Sequence, residues 1–145
     1  MARPSPEQLV EFWNLRTMPT ENVRFWQSYV DDKIGPDGKP LCSAIVALLV
    51  DDPSVFSDMH RLPTDEIWHF YLGDPIELLL LHPDGSDELV ILGQDVLAGQ
   101  RVQTVVPAGV YMGRGYSLVA SSASTATRWR RGSFSPTSRP RPRRS

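Results

Sequence analysis

The sequence predicts an all-β fold, a sandwich or barrel of short strands preceded by one short helix. Seven or eight strand-forming runs are separated by Gly, Pro and Asp turns, and no long helical patterns alternate with them. Two segments then answer each other across some thirty residues, MHRLPTDEIWHFYLG (Met59 to Gly73) and GQRVQTVVPAG (Gly99 to Gly109). The first is a strand entered through a Pro63-Thr64 turn, opened by an acid and closed by Gly73-Asp74-Pro75. The second is a buried strand running into a Pro-Ala-Gly corner. Paired half-motifs of this kind place polar side chains inside the mouth of a small barrel.

Each element has its own signal. Ser5-Pro6-Glu7 is a helix start, with an N-cap, a Pro in the first turn and an acid at the positive end of the dipole. Leu9, Phe12, Trp13 and Arg16 recur at helical spacing, so the helix spans Pro6 to Leu15, and Met18-Pro19 ends it. Strand-formers dominate from Val23 to Val30, and Asp37-Gly38-Lys39 is a turn. The nearly continuous apolar run from Leu41 to Val50 is expected to be a core strand, buried on one or both faces. Further strands follow at Ile67 to Leu72, Ile76 to Leu81, Leu89 to Leu92, Val102 to Val106, Val110 to Met112 and Tyr116 to Ala120, with a His82-Pro83-Asp84-Gly85 turn between the second and third.

Composition bounds the function classes. At 145 residues and 41% hydrophobic content the chain supports one core, residues 1–119, with a tail at 120–145. No apolar run nears the ~18 residues of a membrane span, and no apolar segment of the secretory kind follows the N-terminal Arg3. The single cysteine, Cys42, has no internal disulfide partner; it is expected to be a buried inert thiol in a cytoplasmic protein. Net charge is −2, but it is divided: residues 1–119 hold all 17 acids, and residues 120–145 hold seven arginines and no acid. That Ser/Arg/Pro tail is expected to be disordered. Its charge alone is compatible with an acidic surface or nucleic acid, but the sequence carries no groove-reading motif, so specific nucleic-acid recognition is not expected.

From about Met18 to Val119 the chain resembles the cupins, and in particular a small single-domain cupin family of unassigned function. The resemblance is carried by HRLPTDEIWHFYLGDPIEL (His60 to Leu78), DGSDELVILGQD (Asp84 to Asp95) and AGQRVQTVVPAGVY (Ala98 to Tyr111). It implies a jelly-roll, double-stranded β-helix barrel and a homodimer. Glu21, Phe25, Gln27 and Tyr29 match more weakly, and Asn22 and Val23 stand where the family usually has two glycines. In the general cupin pattern two His and a Glu of the first motif and one His of the second hold a metal. Here His60 and Glu66 occupy two of these positions, but Leu62 and Met112 occupy the other two. One imidazole and one carboxylate are too few donors for a divalent ion, so no cofactor is expected, unless His69 or Glu77 is recruited.

An imidazole and a carboxylate in an apolar barrel support proton transfer beside a carbonyl. The resemblance to metal-free cupins that epimerise nucleotide-linked keto-sugars points the same way. The leading expectation is therefore a cofactor-independent isomerase, epimerase or cyclase for a small oxygenated metabolite. His60 is the candidate base and Glu66 its orienter or opposing acid, with His69 also a candidate catalytic residue. Strand alternation sets Glu66, Trp68 and Phe70 on one face, and His69 with Ile67 on the other, where a structural or interface role competes. Glu21, Trp68, Glu77, Arg101, Gln103 and Tyr111 are the candidate substrate-binding residues, Arg101 and Gln103 for a carboxylate or phosphate. A non-catalytic small-molecule-binding cupin and a metal-dependent oxygenase are the alternatives.

Overall fold

In a computed structural model that describes residues 2–19, 23–50, 52 and 59–114, one helix precedes eight strands. The helix α1 (Pro6–Trp13) begins with a capping box: Ser5 Oγ accepts from Gln8 N–H at 3.2 Å, and Gln8 Oε1 accepts from Ser5 N–H at 2.8 Å. It ends two residues earlier than its apolar spacing predicts. Asn14 takes a left-handed conformation (φ 48°) and closes the last turn, so Leu15 leaves the helix and is buried instead.

Strands β1 (Arg16–Thr17), β2 (Arg24–Val30) and β3 (Ser43–Leu48) form one antiparallel sheet in the order β1-β2-β3. β4 (Glu66–His69) pairs with β7 (Gln103–Val106), and β5 (Ile76–Leu81) stands between β6 (Asp87–Leu92) and β8 (Tyr111–Arg114). A short 3-10 turn, Val96–Ala98, links β6 to β7. Every strand pair is antiparallel; glycines at positive φ serve the connections, Gly85 (88°) in the β5-β6 hairpin turn and Gly109 (81°) at the corner where the chain passes from β7 to β8 in the other sheet. At the first of these turns Asp84 Oδ1 accepts from the Ser86 hydroxyl and backbone N–H, which holds its carboxyl below the usual range.

The core lies between the β6-β5-β8 sheet and the β4-β7 ladder. Leu78, Leu80, Val90, Leu92, Val106, Val110 and Met112 are buried together, with Leu62, Trp68, Phe70 and Ile76 packed against them. Alternation along β5 puts Leu78 and Leu80 in this core; their cross-strand partners Val90 and Met112 join them there.

Three expectations are corrected. The apolar run Leu41 to Val50 gives a strand, but β3 is mostly exposed, and none of its residues joins the buried core cluster. An apolar run shows that a strand requires cover without showing what supplies it. Cys42, just before β3, is exposed rather than buried. β7 is buried on one face only, through Thr104 and Val106, while Gln103 and Val105 face out. The strand expected at Tyr116 to Ala120 and the tail 120–145 lie outside the described residues.

Candidate functional site

The two motif segments meet in the fold. β4 and β7 pair in the register Glu66↔Val106, Ile67↔Val105, Trp68↔Thr104 and His69↔Gln103. The approach to β4 is pinned to the corner after β7, because Asp65 Oδ1 accepts from Ala108 N–H at 2.8 Å and Leu62 O accepts from Gly109 N–H at 2.9 Å. His60 is held from the other side by a backbone bridge to Met112, with N–H to O distances of 3.0 and 2.8 Å. Gly113 lies beside this approach, and a side-chain carbon there would displace the end of the Met59 side chain.

The register fixes which side chains face the interior. Val106 and the packed Trp68 belong to the core side, so Glu66, Trp68, Thr104 and Val106 form one inward row. Glu66 is half-buried and its Oε2 is fully enclosed; so is the indole Nε1 of Trp68. Burial lifts the Glu66 carboxyl above the usual carboxylate range, against the opposing pull of His60 and the Trp68 N–H. The indole lies close enough to favour the charged carboxylate, yet neither Nε1 nor Oε2 has a partner in hydrogen-bonding geometry. His60, Glu66 and Trp68 are thus brought together.

The remaining candidates are placed elsewhere. His69 and Gln103 face outward as a cross-strand pair, Nδ1 to Nε2 3.3 Å, and the His69 ring stacks on Tyr71. Arg101 bridges Glu88 Oε1 (3.0 Å) and Thr104 Oγ1 (3.4 Å), an ion-paired position at the end of the inward row. His82 closes the β5-β6 turn and lies 3.5 Å from Glu88. Glu77 is buried on the face of β5 opposite Leu78 and Leu80, away from Glu66's side. Tyr111 also points away from the Met112 side, beneath the Arg61 guanidinium at 5.1 Å. Glu21 lies outside the described residues. A hollow of about 510 Å³ between residues 2–4, α1 and Leu72 holds one charged group, Arg3, which is paired with Asp74 at 2.9 Å.

Sequence reasoning missed Thr104. In Gln103-Thr104-Val105-Val106 each alternating row has one polar residue and one valine, so alternation does not choose between them; only the register against Trp68 does.

The ligand positions of the general cupin pattern converge as well, His60 against Met112 with Glu66 nearby. The donors do not match a divalent ion: a thioether and an alkyl chain replace two imidazoles, and among the described residues no three His, Cys, Asp or Glu side chains gather.

A model of the family described as Cupin_5, cupin superfamily (DUF985), matches residues 7–124. The chain belongs to the Cupin_5 family. Among solved structures this cupin is similar to a protein of Shewanella oneidensis, with 28% identity and a TM-score of 0.70 over 80% of this chain and 70% of that one. It is also similar in fold to a hypothetical protein from Leishmania major, with 22% identity and a TM-score of 0.67 over 77% and 69% of the two chains. No curated protein matches it. No helix among the described residues is long and apolar enough to cross a membrane.

Proposed function

We propose that this cupin is a metal-independent acid/base catalyst, an isomerase, epimerase or cyclase acting on a small oxygenated metabolite. The observation that carries the reading is the buried Glu66 carboxyl, held above its ordinary pKa beside His60. A carboxyl so placed retains its proton at higher pH than a surface carboxyl and can donate it to a carbonyl or leaving oxygen. The imidazole of His60 takes the proton from the neighbouring carbon, and the enol formed is reprotonated on the same or the opposite face. The core side chains around the pair restrict water, which strengthens both interactions.

The test is deuterium exchange. Purified protein in heavy water, given dihydroxyacetone, D-fructose and D-xylulose, is expected to catalyse incorporation next to the carbonyl, read by mass spectrometry. His60→Ala should lower the rate by about 100-fold or more, and Glu66→Gln by about 10- to 100-fold. No exchange above buffer with any of these ketones overturns the reading.

The buried donor and acceptor on Trp68 and Glu66 also favour a second reading, a binding module without chemistry. In that case His60→Ala and Glu66→Gln weaken ligand affinity and no turnover is found. A homodimer is part of the proposal. It is supported by the family resemblance and by the exposed apolar side chains Trp26, Tyr29 and Ile45 of the β1-β2-β3 sheet; a monomeric mass in light scattering at micromolar concentration would remove it. Residence in the reducing cytoplasm is the companion expectation, resting on the use of a single cysteine.

A further inference from the structure

We infer that Trp68 and Glu66 together form a recognition site for one hydroxyl group of the ligand, the indole N–H donating to its oxygen and Glu66 Oε2 accepting its proton. The inference rests on the preceding reading for the location of the ligand, but not for any chemical step.

The argument starts from alternation. Glu66 and Trp68 stand two residues apart on β4, so their side chains leave the same face of the strand, and their partners Val106 and Thr104 are buried behind them. Both polar atoms are enclosed by protein, and neither has a partner in hydrogen-bonding geometry, although the indole lies near enough to act on the carboxyl. A buried donor or acceptor left unmatched costs about 1–3 kcal/mol, and native proteins leave few. Here one donor and one acceptor are unmatched side by side, on the row nearest His60. A methyl or methylene group satisfies neither. Oε2 is an acceptor when Glu66 is ionised and also when the carboxyl carries its proton on Oε1, so an ether or carbonyl oxygen satisfies the indole alone, and an ammonium Oε2 alone. A hydroxyl satisfies both, since its oxygen accepts one hydrogen bond while its hydrogen makes another. A pair of this kind therefore selects a hydroxylated ligand, and rejects the analogue lacking that hydroxyl because both groups would be buried unmatched again.

Thr104 reinforces the assignment. It faces Trp68 across the ladder and is buried, but its Oγ1 lies 3.4 Å from the Arg101 guanidinium, which itself pairs with Glu88. Thr104 Oγ1 is turned to the Arg101 guanidinium and does not partner the indole, so the Trp68 N–H is left to a ligand.

The test uses two probes that differ by one hydroxyl, 2-hydroxycyclohexanone and cyclohexanone. In a nitrogen-15 spectrum of the full-length protein, the Trp68 indole N–H signal, assigned by its loss in Trp68→Phe, is expected to move downfield on titration with 2-hydroxycyclohexanone. Cyclohexanone should leave it in place or bind at least tenfold more weakly, and in Trp68→Phe the preference for the hydroxylated probe should shrink, with Glu66 Oε2 alone left to receive the hydroxyl. Equal binding of both probes to the wild type, or no movement with either, overturns the inference. So does a large shift of the indole signal caused by Glu66→Gln in the ligand-free protein, which would mean that the two side chains already satisfy each other. Because the wild-type titration stands without any variant, misfolding of Trp68→Phe leaves the inference open to refutation. Discrimination between the probes without deuterium exchange sinks the catalytic reading and keeps this one; exchange without discrimination does the reverse.

Discussion

Two regions of this cupin carry similar apolar strands and treat them differently. In the β6-β5-β8 sheet, Leu78, Leu80, Val90 and Met112 are almost wholly removed from water and meet Val106 and Trp68 of the β4-β7 ladder. In the β1-β2-β3 sheet, Trp26, Tyr29, Val30 and Ile45 remain 43–53% exposed on the paired strands β2 and β3. Among the described residues they differ in cover: the first sheet faces the β4-β7 ladder, whereas the second has only α1 against β3. A three-stranded sheet without a facing layer gains little hydrophobic stabilisation, and its order depends on what covers it. Stability in this molecule should therefore be unevenly distributed, and the candidate site lies in the stable half.

The largest expected effect follows from that division. Leu78→Ala empties a fully buried position between two layers and should destabilise the protein by about 2–5 kcal/mol in chemical denaturation. Native-state hydrogen exchange extends the comparison along the backbone. The amides of β5, hydrogen-bonded on both sides, should exchange only through global unfolding, and those of β3 should exchange faster by a factor of about 100 or more. Equal protection in the two strands would mean that the β1-β2-β3 sheet is covered as completely as the core.

How far the sequence was legible divides along the same line. Turns were readable because Gly and Pro act locally: Asp37-Gly38-Lys39, Pro83-Asp84-Gly85 and the Pro-Ala-Gly corner all lie where the chain reverses. The pairing of the two motif segments was foreshadowed by their resemblance to a cupin, as was the meeting of His60 and Glu66. Long-range burial was less readable. Periodicity states which residues share a face and leaves open what lies against it, so Leu41 to Val50 suggested a core strand and Cys42 a buried thiol, whereas both are largely exposed. The inward turn of Thr104 and the outward turn of Gln103 were undetermined for a related reason, since alternation has two solutions until the register is known.

A smaller effect, on the stable side of the molecule, comes from Glu66. Its folded pKa is raised by burial above the ordinary value of 4.5, so over the window from about 4.5 up to the folded value the native state holds a proton that the unfolded chain has lost. The extra stability from Glu66 is fully present below that window and is lost as pH rises through the folded pKa. Glu66→Gln cannot titrate. Its stability relative to wild type should therefore grow as pH rises across the window and then level off above the folded pKa. His60 opposes the shift, so in His60→Ala the window should reach to higher pH. Parallel pH profiles for wild type and Glu66→Gln would place the carboxyl in water and remove the physical basis of the proposed chemistry.

The smallest expected effect tests the exposed half. Ile45→Thr in β3 and Val105→Thr on the outward face of β7 each trade an apolar side chain, 45% and 49% exposed, for a β-branched polar one of similar strand propensity. In a monomer, each should change stability by no more than about 0.5 kcal/mol, because neither leaves a cavity nor strands a buried polar group. A dimer separates the two positions. If the β1-β2-β3 sheet is where copies meet, Ile45→Thr should lower the midpoint of thermal unfolding more at low protein concentration than at high, while Val105→Thr stays within 1 °C or so at both. The two substitutions remove comparable apolar surface, so any difference between them measures cover that only a second molecule supplies. If both behave alike at every concentration, the exposed sheet is not where copies of this chain associate.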